Sequence, residues 1–282
     1  MPEISLASKH GKYVVNFGLM LGHDTFESPK FLLTQTRGAI VRFGQIAEAY
    51  FEANHAERTV SVDPKTGWKT YKATFANPLP AELRHIAFTA VNDLRHALDQ
   101  ILCTSVEAIT GRVATRSDYF PIGGDPRDFE AKLRVVPDGL KQVFRDFQVY
   151  PRSAQYDGGD DLLCDLSKAA QRKHRLSCRI GAVVAAMDGG GTIDFDPDGG
   201  SMSLFPQWNI HTQELIYGTT GPKGHLIHTL RLSGFLVYYD AGPLTGRSVV
   251  DITNDIIDRV ESILRTVEHE TLMVRSRDAS FP

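Results

Sequence analysis

The stretch Asn92-Asp93-Leu94-Arg95-His96-Ala97-Leu98-Asp99-Gln100 lies at the centre of a run, Pro80 to Thr110, whose reading decides the fold. Apolar residues recur there at Leu83, Ile86, Ala87, Ala90, Leu94, Ala97, Leu98, Ile101 and Leu102. Steps of three and four put them on one buried helix face. Pro80 stands where a first-turn proline is tolerated, and Gly111 is a stop signal. Asn92, Arg95 and Asp99 form a second stripe at i, i+3 and i+7. Phe88 and Leu102 share its flank, so the stripe is expected to meet another element. Arg95 and Asp99 are four apart and can pair. Exposed, that pair contributes a few tenths of a kcal/mol. Partly buried, it needs partners from elsewhere in the chain. The sequence leaves both readings open.

Working outward, a helix is predicted from about Ser28 to Asn54, with Leu32, Thr36, Ile40, Phe43, Ile46, Ala47 and Tyr50 on its apolar face. Thr59 to Asp63 and Trp68 to Phe75 alternate and are β-prone. Pro64, Lys65, Thr66 and Gly67 between them complete a hairpin signature. Lys12 to Leu21 reads as a further strand. Beyond Gly111, short helices are predicted over Asp125 to Lys132 and Pro137 to Phe147, then a longer one from Asp160 to Cys178. Lys173 falls inside the apolar stripe of that helix (Leu162, Leu166, Ala169, Leu176 and Ile180), with His174 on its flank. An inward lysine calls for a partner, and Asp99 is the expected one.

From Arg179 the pattern turns to β. Strands are predicted over Arg179 to Ala186, Thr192 to Phe195, Ser201 to Phe205, Gln213 to Thr219 and His225 to Tyr239, the last with a bend at Gly234. A helix from Ser248 to Thr271 follows, then a loose tail from Arg275. Helices, then strands, then a helix indicate an α+β fold. The expected division is a mainly helical region, 1–179, carrying a hairpin over 58–77, and an antiparallel sheet with its helix, 180–282. One cooperative unit is an equal alternative.

The 282 residues carry a formal net charge of −3, which excludes a generically basic nucleic-acid binder. The three cysteines, Cys103, Cys164 and Cys178, lack metal-type spacing and are odd in number. Reduced thiols in a cytoplasm are expected. No secretory leader is expected, and no apolar run approaches the ~20 residues that span a bilayer. Asp194, Asp196, Asp198 and Gly199 resemble the start of a calcium loop, but Phe205 stands where the bidentate Glu belongs. His225 and His228 would point to opposite faces of a strand. P-loop, nucleophile-elbow and dinucleotide fingerprints are missing. No metal or cofactor is expected. The one basic concentration is Lys168, Arg172, Lys173, His174, Arg175 and Arg179, which suits either phosphate or the C-terminal end of a helix.

Asn92, Arg95, Ala97, Leu98 and Asp99 fit an N-x-x-R-x-A-L-D helix. Phe120, Pro121 and Ile122, then Tyr150, then Lys173, His174 and Arg175 follow at intervals. In this set the chain resembles a group of bacterial and phage-associated proteins without assigned function, over about Gly38 to Ile180. An Arg followed by a His after four intervening residues in a helix is also similar to the motif of the HEPN ribonucleases. That likeness implies cleavage of RNA without a metal, by acid–base and electrostatic action at the scissile phosphate. It also implies a homodimer formed through helices. Two departures stand out. Gln100 occupies the His position, and Arg172 replaces the Asp before Lys173. Three functions are therefore carried forward. The first is a binding or regulatory module on a HEPN-like core, whose cluster of Asn92, Arg95, Asp99, Lys173 and His174 is structural or, with Arg175, holds an anionic ligand such as RNA. The second is a metal-independent ribonuclease of toxin or phage-defence type, with His174 and Arg95 catalytic. The third is a purely structural interaction protein.

Overall fold

Helix α2 (Ala81–Thr110) forms where the periodicity places it, with Pro80 as N-cap and Gly111 as a left-handed C-cap at φ 67°. Glycine reaches that conformation without the Cβ penalty. The computed structural model describes residues 24–54, 56–171, 179–188, 191–194, 202–203, 206–209, 212–228, 231–239 and 242–278. The expected strand at Lys12 to Leu21 lies outside them.

Two long helices flank α2. Helix α1 (Glu27–Ala53) buries Leu33, Thr36, Ile40, Phe43 and Tyr50. Three shorter helices follow α2: α3 (Pro126–Lys132), α4 (Lys141–Phe147) and α5 (Asp161–Gln171). Asp160 accepts from the Leu163 N–H at 3.1 Å, an N-cap for α5. Its other oxygen takes the Arg259 Nε at 2.7 Å, tying that cap to the last helix. The last helix, α6 (Val249–Asp278), packs on both α1 and α2. It runs past the point where a loose tail is expected. The apolar repeat continues through buried Thr271 to Val274, which packs against the core beside Gly139.

The strands are β1 (Ala56–Val62), β2 (Lys69–Phe75), β3 (Arg179–Asp188), β4 (Gly191–Asp194), β5 (Met202–Ser203), β6 (Gln207–Asn209), β7 (Glu214–Thr220), β8 (His225–His228) and β9 (Arg231–Tyr239). Among the described residues every pairing between them is antiparallel. The hairpin β1–β2 does not stand alone, because β2 pairs with β7 and makes a sheet ordered β1-β2-β7-β5, with β6 also on β7. The single strand expected over His225 to Tyr239 is two strands, since β8 pairs with β4 and β9 with β3. The irregularity expected at Gly234 is present: the β3–β9 register shifts between Val184 and Ala186, opposite Gly234 and Ser233. A Cβ on Gly234 would collide with the Val183 carbonyl oxygen.

One apolar cluster joins the helices to the β3–β9 pair. It contains Leu94, Leu98 and Ile101 of α2, Ile180 and Ala182 of β3, Tyr238 of β9 and Val260 of α6. A smaller cluster of Tyr71, Ala73, Leu215, Tyr217 and Leu232 lies under the larger sheet. Side chains bridge the two sheets. Trp208 Nε1 donates to the Ala182 carbonyl at 2.8 Å, and Gln213 Oε1 accepts from the Ala182 N–H at 3.2 Å. Together they occupy main-chain groups of β3 that no described strand takes, which a buried strand requires. Replacing Trp208→Phe keeps a ring against Phe75 but strands that carbonyl. The expected loss is about 1–2 kcal/mol by denaturant titration, and an unchanged midpoint would show that the indole bond is dispensable.

Candidate functional site

The candidate stripe sits mid-way along α2, where the loop returning from Gly111 passes over it. Asp99 Oδ1 accepts from the Phe120 N–H at 2.8 Å. Arg95 Nη2 lies 3.0 Å from the same carboxylate and donates to the Phe120 carbonyl at 3.4 Å. Both main-chain groups of Phe120 are thus held by two side chains one turn apart. Phe120 itself is fully buried, against Phe144. The partly buried form of the pair is the one realised: the Arg95 side chain is 18% exposed and Asp99 29%.

Two polar atoms in this cluster have no partner. Asn92 Oδ1 and Arg95 Nη1 are buried and unbonded. Asn92 spends its Nδ2 on the Phe88 carbonyl one turn back, at 2.8 Å. Burial pulls the Arg95 guanidinium below its ordinary range, and Asp99 and Tyr119 oppose that. The group stays charged, because guanidinium does not deprotonate in proteins. Burial likewise raises the Asp93 carboxyl, with His96 opposing.

His96 and Gln100 lie apart from the stripe. His96 is exposed, and its Nε2 is 3.3 Å from Gln100 Nε2. The Gln100 Oε1 accepts from Ser28 Oγ at 2.9 Å, so the residue in the histidine position fastens α2 to the start of α1. Lys173, His174 and Arg175 lie outside the described residues, as do Arg172, Asp196, Asp198 and Gly199. The structure therefore brings together Asn92, Arg95 and Asp99 with the main chain of Phe120. Lys168 and Arg179, at either end of the basic run, are exposed.

A second polar knot adjoins the first. Asp118, its side chain only 4% exposed, takes both Arg112 Nη1 and Nη2, at 2.7 and 2.8 Å. It also accepts from the Thr115 N–H and hydroxyl at 2.7 and 2.9 Å. The Asp118 carbonyl receives the Cys103 thiol at 3.1 Å, one turn along α2 from Asp99. No sequence pattern marks this knot, since Arg112, Thr115 and Asp118 form no periodic repeat. The loop Gly111 to Phe120 is thereby fixed by its own aspartate and by the α2 stripe.

Neither described thiol is built as a nucleophile. Burial and nearby carboxylates push Cys103 up, and burial pushes Cys164 up to about 12. The thiolate is the reactive form. Cys164 is expected to resist iodoacetamide at neutral pH in the folded protein and to react after denaturation. Rapid native labelling would contradict its burial. Among the described residues no group of three or more His, Cys, Asp or Glu could hold a metal ion. No described helix is long and apolar enough to cross a membrane.

No family model matches this chain, and no curated protein or solved structure matches it either.

Proposed function

We propose that this chain is a binding or regulatory module on a HEPN-like helical core, and that Asn92, Arg95 and Asp99 serve as scaffold within it. The observation that supports this reading is where Arg95 and Asp99 spend their hydrogen bonds. A residue that clamps a phosphate presents its guanidinium fork to open solvent. Here Nη2 is committed to Asp99 and Phe120, and Nη1 is sealed in. A cluster closed in this way positions a loop.

One observation favours the ribonuclease as a second reading. The unspent Nη1 and the unspent Asn92 Oδ1 are a donor and an acceptor on adjacent turns, and a buried orphan of either kind costs about 1–3 kcal/mol. Natural chains keep such costs at working sites. In that reading, displacement of the Phe120 segment frees Arg95 for phosphate. His174 then acts as acid or base, and Lys173 and Arg175 assist in holding the anion. RNA incubated with purified protein in EDTA separates the two. The scaffold reading expects no cleavage by wild type. Cleavage that persists in EDTA and vanishes in both His174→Ala and a folded Arg95→Ala would overturn it.

A further inference from the structure

The described part of the chain opens beside an apolar patch. Asp24 is held against the start of α1. Its Oδ1 accepts from the Phe26 N–H at 3.0 Å, and its carbonyl accepts from the Glu27 N–H at 3.1 Å. Its Oδ2 takes the Lys30 Nζ at 2.8 Å, and the same ammonium reaches Glu268 of α6 at 2.6 Å. Asp24 therefore lies alongside the first turn of α1, at its seam with α6. Next to Lys30 in the helix stands Phe31, 60% exposed. Leu272, one turn beyond Glu268 on the same side of α6, is 53% exposed. Apolar side chains exposed singly need no explanation. These two flank one ion pair, and that ion pair anchors the residue at which the preceding chain arrives.

The preceding chain is apolar. From Tyr13 to Leu21, seven of nine residues are Tyr, Val, Phe, Leu or Met. We infer that this segment docks on the seam of α1 and α6, where it covers Phe31 and Leu272. The reach suffices. Leu21 is three residues from Asp24, about 10 Å of extended chain. Phe31 is one turn into α1, about 6 Å along the axis from Glu27. Both partners gain, since exposed apolar surface on each side leaves water together. The tether selects the occupant. A segment joined this closely acts at an effective concentration of about millimolar, which a separate molecule at micromolar concentration does not match. The attachment of Asp24 to Lys30 also directs the segment to the seam, because one cation holds Asp24 and α6 at once. Nothing in this pairing depends on what the α2 cluster does.

Thiol alkylation of the full chain tests the docking. Thr34 is exposed and lies one turn from both Lys30 and Phe31. A Thr34→Cys variant is alkylated under native conditions and read by mass spectrometry on the peptide that carries residue 34. The same variant is then made with Phe17, Leu19 and Leu21 all replaced by Ser. Alkylation is expected to be about tenfold faster in the second protein, the effect of uncovering one large apolar side chain. In the reverse direction, Phe31→Ser with Leu272→Ser should speed native chymotryptic cleavage after Phe17 by a similar factor. Both are surface positions, so the helices stay folded. Equal alkylation of the two Thr34→Cys proteins overturns the proposal. So does protection that rises with protein concentration, which would assign the patch to a second copy. Cleavage after Phe17 that ignores the Phe31 and Leu272 changes would place the segment elsewhere and overturn it as well.

Discussion

Arg95→Ala is expected to destabilise the protein by about 3 kcal/mol, measured by urea titration at neutral pH. The change removes the ion pair with Asp99 and the bond to the Phe120 carbonyl. Breaking a buried pair by removing one partner costs about 3–5 kcal/mol, because the other charge is left without its compensation. Asp99 keeps some contact with water, which places the expectation at the low end. Asp99→Ala should cost a similar amount, since the Phe120 N–H loses its acceptor. The double variant should fall well short of the sum, because both residues hold the same peptide unit. Asn92→Leu runs the other way. It removes a buried acceptor with no partner and gives up a local bond one turn back. Stability should hold or rise by about 1 kcal/mol. A loss below 1 kcal/mol in Arg95→Ala would mean that the cluster does not hold the loop.

How far the sequence reveals this arrangement depends on the range of the interaction. Helices α1, α2 and α6 are legible because each carries a long 3.6-residue apolar repeat, and the α+β class follows from element order. The i, i+3, i+7 stripe on α2 is also local, and so is its flanking by Phe88 and Leu102. That the stripe meets a second element can be read from that flank. Which element it meets cannot. The sequence points to Lys173, which lies outside the described residues, and the described groups on Arg95 and Asp99 include the main-chain atoms of Phe120. A main-chain partner leaves no mark in residue type. The pairing of β2 with β7 is silent for the same reason, since some 140 residues separate strands whose side chains merely alternate. The end of α6 is instructive in a different way. Arg275 and Arg277 look like a solvated tail, yet the last turn of a helix favours cations, and Val274 still has core to pack against.

The Asp118 knot carries the second large effect, and pH gives it a signature. Arg112 beside it, with the Thr115 N–H and hydroxyl, holds the Asp118 carboxyl far below the ordinary carboxylate range. A carboxylate with a depressed folded value stabilises the fold fully above its unfolded value of about 3.9, and that contribution is lost as pH falls toward the folded one. Asp118→Ala removes the acceptor for four hydrogen bonds. It leaves the Thr115 N–H and one fork of Arg112 without a partner, which sets the expected loss at about 2–3 kcal/mol at neutral pH. Much of Arg112 faces water, so it recovers hydration and the figure stays below that of a sealed pair. The gap between wild type and Asp118→Ala should be constant from pH 7 to about pH 5 and should narrow steadily below about pH 4. Trp208→Phe supplies the contrast, because neither side chain carries a proton equilibrium in this range. Urea midpoints for the three proteins across that interval give the answer. A gap that stays constant into acid would show that Asp118 acts through packing, with its charge immaterial. A narrowing confined to Asp118→Ala would locate the acid sensitivity of the fold in the loop that Arg95 and Asp99 hold from the other side.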